Sequence, residues 1–186
     1  MQGNASISGN TNNVPPWFGG GDFFDGGGVR IEGGSFTMNN GIISGNSACC
    51  GGGVHLSRGL FTMNSGIISG NSSVTDSAIH GIGTGGGGGV SIDSGTFTMN
   101  GGIISGNTAL SAFGGGVLGW RTSDSIFIKR GGIIYGSDAL LAGQANRAYL
   151  NGHAVAIDRN IRMRNTTALQ NQIMDSRQSG AAGGWE

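Results

Sequence analysis

Gly26-Gly27-Gly28-Val29, then Phe36-Thr37-Met38-Asn39, then Gly41-Ile42-Ile43-Ser44-Gly45-Asn46 follow one another closely, and the same three blocks return along the chain. GGGV begins again at Gly51, Gly87 and Gly114, so successive starts differ by 25, 36 and 27 residues. FTMN recurs from Phe61 and Phe97, and GIISGN from Gly66 and Gly102. A worn copy reads Ile126-Phe127-Ile128-Lys129, then Gly132-Ile133-Ile134-Tyr135-Gly136. The first residues, Ile7-Ser8-Gly9-Asn10, are the tail of one more copy, which predicts a longer precursor with further units.

Within a unit, Val29-Arg30-Ile31, Phe36-Thr37-Met38 and Ile42-Ile43-Ser44 are short, β-rich segments separated by Gly and Asn, far too short for helices. Three strands and three bends in about 25 residues predict one coil of an all-β parallel β-helix, a solenoid of about four to five coils. The longer spacing leaves both motifs intact and places its extra residues at 72–86, so insertions collect at one corner. A leucine-rich repeat needs leucine at fixed positions, and the leucines here follow no period. Val29, Ile31, Phe36, Met38 and one of Ile42 or Ile43 are expected inside, with Phe36 stacked on Phe61. Asn10, Asn46, Asn71 and Asn107 at one corner, and Asn39, Asn64 and Asn100 at another, are expected to form hydrogen-bonded ladders along the axis.

Of the 186 residues 41 are glycine and only 2 are proline, while 37% are hydrophobic and the formal net charge is zero. Collagen needs far more proline, and a disordered chain fewer apolar residues, so the glycine belongs to a folded architecture. No apolar run is long enough to span a membrane, and the polar start lacks the basic and apolar regions of a signal peptide. Adjacent Cys49 and Cys50 make no disulfide framework and are too few for a structural zinc site. The repeats are expected over 1–142, with inserted corner loops. A basic C-terminal cap and tail is expected over 143–186, where His153-Ala154-Val155-Ala156-Ile157 and the run containing Arg159, Arg162 and Arg164 predict final edge strands whose charges oppose further pairing. No aromatics interleave these arginines, which argues against nucleic acid.

Parallel β-helices can carry polysaccharide lyases and glycosidases, which need convergent carboxylates. Glu32 and Asp93 share a repeat position two coils apart, roughly ~10 Å at the usual strand spacing, as a single coincident column. His55, His80 and His153 sit in unrelated contexts, and the GxGxxG match at 81–86 lies in an inserted loop without a strand–turn–helix setting. No catalytic residue, metal or cofactor is therefore predicted. Interaction surfaces have better candidates. Thr37, Thr62 and Thr98 form a column suited to glycan or ice, while Trp17, Phe18, Phe23 and Phe24 form an aromatic cluster suited to glycan or protein contact. The columns Ile42, Ile67, Ile103, Ile133 and Ile43, Ile68, Ile104, Ile134 leave two readings open. Either one column is exposed as an apolar stripe for a partner or another copy, or a bend turns both inward.

The units GGGV, FTMN and GIISGN, the tail HAVAI, Arg164-Asn165-Thr166-Thr167 and the terminus Gly183-Gly184-Trp185-Glu186 together resemble the C-terminal portion of spirochaete-type right-handed β-helix repeat surface proteins, a group similar to adhesin-like and polymorphic outer-membrane proteins. The resemblance implies a right-handed solenoid at the cell surface or outside the cell, with no established enzymatic activity. It departs from the usual tail near residues 168–174. The expectation is a non-catalytic scaffold that displays corner loops at 11–25, 72–86 and 108–113 to a glycan or to a host or matrix protein, with end-to-end or lateral self-association as a further possibility.

Overall fold

The computed structural model describes residues 5–12, 26–74, 86–110, 113–119, 125–150, 152–157, 172–174 and 178–179. These residues form an all-β structure of three sheets, interrupted by one 3-10 turn at Ala142–Gln144. Strands from successive repeats pair in parallel, each with its counterpart one repeat away. One sheet orders Ser6–Ser8, Ile42–Ser44, Ile67–Ser69, Ile103–Ser105 and Ile133–Ile134. A second orders Thr11–Asn12, Ser47–Ala48, Ser72–Ser73, Thr108–Ala109 and Arg147–Ala148. The third and largest combines the valine and FTM segments, which run together as single strands over Val29–Met38 and Val54–Met63.

The register matches like with like. Phe36 pairs with Phe61, Phe61 with Phe97, and Phe97 with Phe127, and their rings stack at centroid distances of 5.6, 4.7 and 5.0 Å. Met38, Met63 and Met99 form a buried column beside them, and Ile43, Ile68, Ile104 and Ile134 a third. Stacking is what makes the unit viable, because one layer alone buries too little apolar area to offset the entropy of ordering its backbone.

Two features differ from the sequence reading. The expectation of three strands per unit missed the two-residue strand that follows each Asn, Ser47–Ala48 and its counterparts. Pairs such as Ser72-Ser73 carry no apolar alternation to mark them, and the three expected corner loops, at 11–25, 72–86 and 108–113, in fact begin with these strands. The parallel ladders also continue beyond residue 142, since Arg147–Ala148 pairs with Thr108–Ala109 and Val155–Ile157 with Val117–Gly119.

The glycines explain why that last layer is hard to see in sequence. A Cβ on Gly28, Gly53, Gly89 or Gly116 would lie 2.5 to 2.7 Å from a carbonyl oxygen of the following layer, so each must be glycine. Ala154 occupies the corresponding place in the last layer, where no further parallel layer pairs among the described residues, and a methyl group is tolerated. The final strands then change direction. Gln172–Met174 pairs antiparallel with Val155–Ile157, and Gln178–Ser179 antiparallel with Ile133–Ile134. This tail supplies an antiparallel edge to two of the sheets.

Candidate interaction surface

Most of the polar chemistry inside the stack is structural. Asn side chains in the buried column link one layer to the next: Asn46 Nδ2 and backbone N–H both donate to Asn71 Oδ1 at 3.0 Å, and Asn71 does the same to Asn107 at 2.9 and 3.0 Å. Asn107 donates to Asn146 at 2.8 and 2.9 Å, and the exposed Asn10 donates to Asn46. The second amide proton is also used, as in Asn71 Nδ2 to the Ile43 carbonyl at 3.0 Å. Asn146 is a fifth rung that the sequence reading missed, because no ISG precedes it. The outer column of Asn39, Asn64 and Asn100 is linked by side-chain bonds of 2.7 Å at the surface.

The candidate catalytic positions are engaged separately. Glu32 faces Arg30 at 3.5 Å and Arg58 at 3.6 Å on the surface. Asp93 lies 2.9 Å from Nε2 of His55, a buried side chain that is only 1% exposed. Ser91 Oγ stands 3.5 Å from the other carboxylate oxygen of Asp93. His55, Ser91 and Asp93 thus cluster, a grouping that sequence spacing did not suggest, because His55 and Ser91 meet only through the register of adjacent layers. Their order is not that of a nucleophilic relay, in which the imidazole separates the serine from the carboxylate; here the carboxylate lies between serine and imidazole. His153 accepts the Ala148 N–H at Nδ1, 3.1 Å away. Among the described residues no group of three or more His, Cys, Asp or Glu could hold a metal ion.

Lys129 occupies the fourth place of the methionine column, in register with Met99. It is 4% exposed, its Nζ donates to the Gly132 carbonyl at 3.0 Å, and burial pulls its pKa down from 10.5 to about 8. The same column position that accepts a thioether elsewhere accepts an ammonium group here because a carbonyl lies within reach.

The outer columns form the broadest regular surface. Thr37, Thr62 and Thr98 stand in register one layer apart, about 4.8 Å between neighbours, and Ile128 continues the column. Thr37 is exposed, while Thr62 and Thr98 are half-buried. Ser35, Leu60, Thr96 and Ile126 form a parallel column two residues upstream, so the face mixes hydroxyl and aliphatic groups rather than presenting threonine alone. The open question of the isoleucine pairs is resolved by alternation: Ile43, Ile68, Ile104 and Ile134 are fully buried, whereas Ile42 is 40% exposed and Ile67, Ile103 and Ile133 are half-buried. Another apolar column went unread in the sequence. Val74, Leu110 and Tyr149 each donate a backbone N–H to the layer before, and all three are exposed. A cleft of about 270 Å³ lies near the end of the stack, lined by Tyr135, Asp138, Ala139, Leu140 and Gln144.

Trp17, Phe18, Phe23 and Phe24 lie outside the described residues, as do His80, the GxGxxG match except for its last glycine, Gly86, and Arg159, Arg162 and Arg164. No helix among the described residues is long and apolar enough to cross a membrane. No protein-family model, curated protein or solved structure matches the chain.

Proposed function

We propose that this chain is a right-handed parallel β-helix acting as a non-catalytic scaffold at the cell surface or outside the cell, related to the spirochaete-type repeat proteins it resembles. Its corner loops and outer columns would contact a glycan or a host or matrix protein. The observation that carries this reading is the parallel register of the described layers, which brings the FTM and IIS segments of successive repeats into columns of like side chains. Such a surface is rigid before any partner arrives, so binding loses little conformational entropy in ordering it. The polar groups that could serve catalysis are engaged in ladders, in the pairing of His55 with Asp93, or in the Glu32 cluster. Thr37, Thr62 and Thr98 offer hydroxyls at the strand repeat, a spacing that a polymeric ligand can follow.

The test is binding of the full chain to glycan and matrix-protein arrays. Saturable binding is expected, weakened about tenfold or more by Trp17→Ala with Phe18→Ala, or by Thr62→Glu with Thr98→Glu. Depolymerisation of a polysaccharide, lost on Glu32→Gln or Asp93→Asn, would replace this reading with an enzymatic one.

A further inference from the structure

Adjacent residues of an extended strand point to opposite faces, so neighbouring cysteines ordinarily carry their sulfurs apart. Cys49 and Cys50 do not. The strand Ser47–Ala48 ends immediately before them, Ala48 turns inward and is buried, and the chain bends into Gly51 at φ 63°. At this corner the Cys50 thiol donates to the Cys49 sulfur at 3.7 Å, no disulfide joins them, and both residues are partly exposed to solvent.

The corner is held from both sides. The Gly26 N–H donates to the Cys50 carbonyl at 2.8 Å, and the Val74 N–H donates to the Ala48 carbonyl at 2.8 Å. On the other flank Gly86 lies so close that a Cβ there would fall 2.7 Å from the Cys50 Cα. The backbone that carries the two sulfurs is therefore held by neighbouring layers rather than by the dipeptide alone.

That separation is well beyond the ~2.05 Å of a disulfide. It is instead van der Waals contact, close enough that two bonds of about 2.3 Å to one central atom could be made with only a small inward movement of the sulfurs. Zinc would ask for about four protein or solvent donors, and no group of three or more His, Cys, Asp or Glu gathers among the described residues. A trivalent arsenical bearing one organic group needs only two thiols.

We propose that Cys49 and Cys50 form a preorganised dithiol site for a trivalent, thiophilic metalloid. In the reaction with an organoarsenic oxide, two arsenic–sulfur bonds form and the arsenic–oxygen bond is lost. The oxygen leaves as water carrying both thiol protons. Arsenic remains trivalent, so no oxidant or reductant is consumed, and one ring closes through the Cys49–Cys50 peptide.

The experiment treats the reduced full chain with phenylarsine oxide and follows thiol titre and intact mass. The expected result is uptake of a single phenylarsenic group with simultaneous loss of both thiols, giving an adduct that survives excess 2-mercaptoethanol and is stripped by 2,3-dimercaptopropanol. Cys49→Ser and Cys50→Ser, each checked for an unchanged circular dichroism spectrum, are expected to bind at least about a hundredfold more weakly, the loss that accompanies a chelate becoming a single attachment. The contrast between monothiol and dithiol release is read on the unmutated chain and does not depend on how the variants fold. Release by 2-mercaptoethanol as ready as by the dithiol, or single-cysteine variants that hold the arsenical as tightly as the parent, would overturn the proposal.

Discussion

The asparagine column and the phenylalanine column run through the same layers, yet they secure the stack in different ways. Phe36, Phe61, Phe97 and Phe127 touch face to face, and each contact is a packing contact that a smaller apolar side chain would partly retain. Asn46, Asn71, Asn107 and Asn146 are buried amides whose oxygen accepts two bonds from one neighbouring layer; the nitrogen of the first three donates both onward and to a main-chain carbonyl, and that of Asn146 to the carbonyls of Ile104 and Tyr135. An apolar column tolerates graded change. A polar one is satisfied or broken, because its neighbours lose partners they cannot replace from water.

The sharpest way to test this contrast is to truncate both columns in the same layers. Asn71→Ala removes acceptors from the Asn46 N–H and amide, a donor from Asn107 Oδ1 and a donor from the Ile43 carbonyl. At 1–3 kcal/mol for each buried group left unsatisfied, the loss in urea unfolding should reach roughly 4 kcal/mol or more. Phe97→Ala should cost about 3–5 kcal/mol, but Phe97→Leu should recover a large part of it. No substitution of Asn71 by an apolar residue of similar size should recover its loss comparably. A rescue of Asn71 by Leu equal to that of Phe97 would erase the distinction.

A smaller effect separates two residues of the same type. Ile68→Ala empties a fully buried site and should cost roughly 2–4 kcal/mol, whereas Ile67→Ala, on the opposite side of the same strand, should cost under about 1 kcal/mol. Equal losses in thermal unfolding would mean that both isoleucines contribute to the core.

A change of opposite sign is expected at the end of the methionine column. Lys129 has a folded-state pKa of about 8 against 10.5 when unfolded, so between those values the unfolded chain binds more protons and stability rises with pH. Below about pH 8 the penalty of the buried charge is fully present. Lys129→Met should therefore stabilise the fold near neutral pH, by on the order of 1–3 kcal/mol, with the gain shrinking as pH rises towards 10.5. A pH-independent gain would point to packing against Met99 instead of to charge burial.

Much of the fold was legible because a stack of layers repeats its demands. Phe, Met and Ile return at matching positions since each must meet its counterpart in the neighbouring layer, and glycine returns wherever a side chain would strike the next backbone. The signal failed where those demands lapse. Ala154 replaces a glycine because no further parallel layer pairs beyond it among the described residues, and Asn146 keeps its amide ladder without the surrounding motif. The interaction surface was less legible. The threonine column stands where its spacing implied, but the column of Val74, Leu110 and Tyr149 shares no residue type and emerges only from pairing.

By itself the sequence determined the all-β character, the layer spacing, the buried aromatic and aliphatic columns and the asparagine ladders, because periodic contact imposes periodic residues. Tertiary structure alone decided which isoleucine faces outward, that His55 meets Asp93, that Lys129 sits inside, and that the Cys49 and Cys50 sulfurs converge. Each of these depends on a bend or on register between layers, and neither a bend angle nor a register is written in the identity of a single residue.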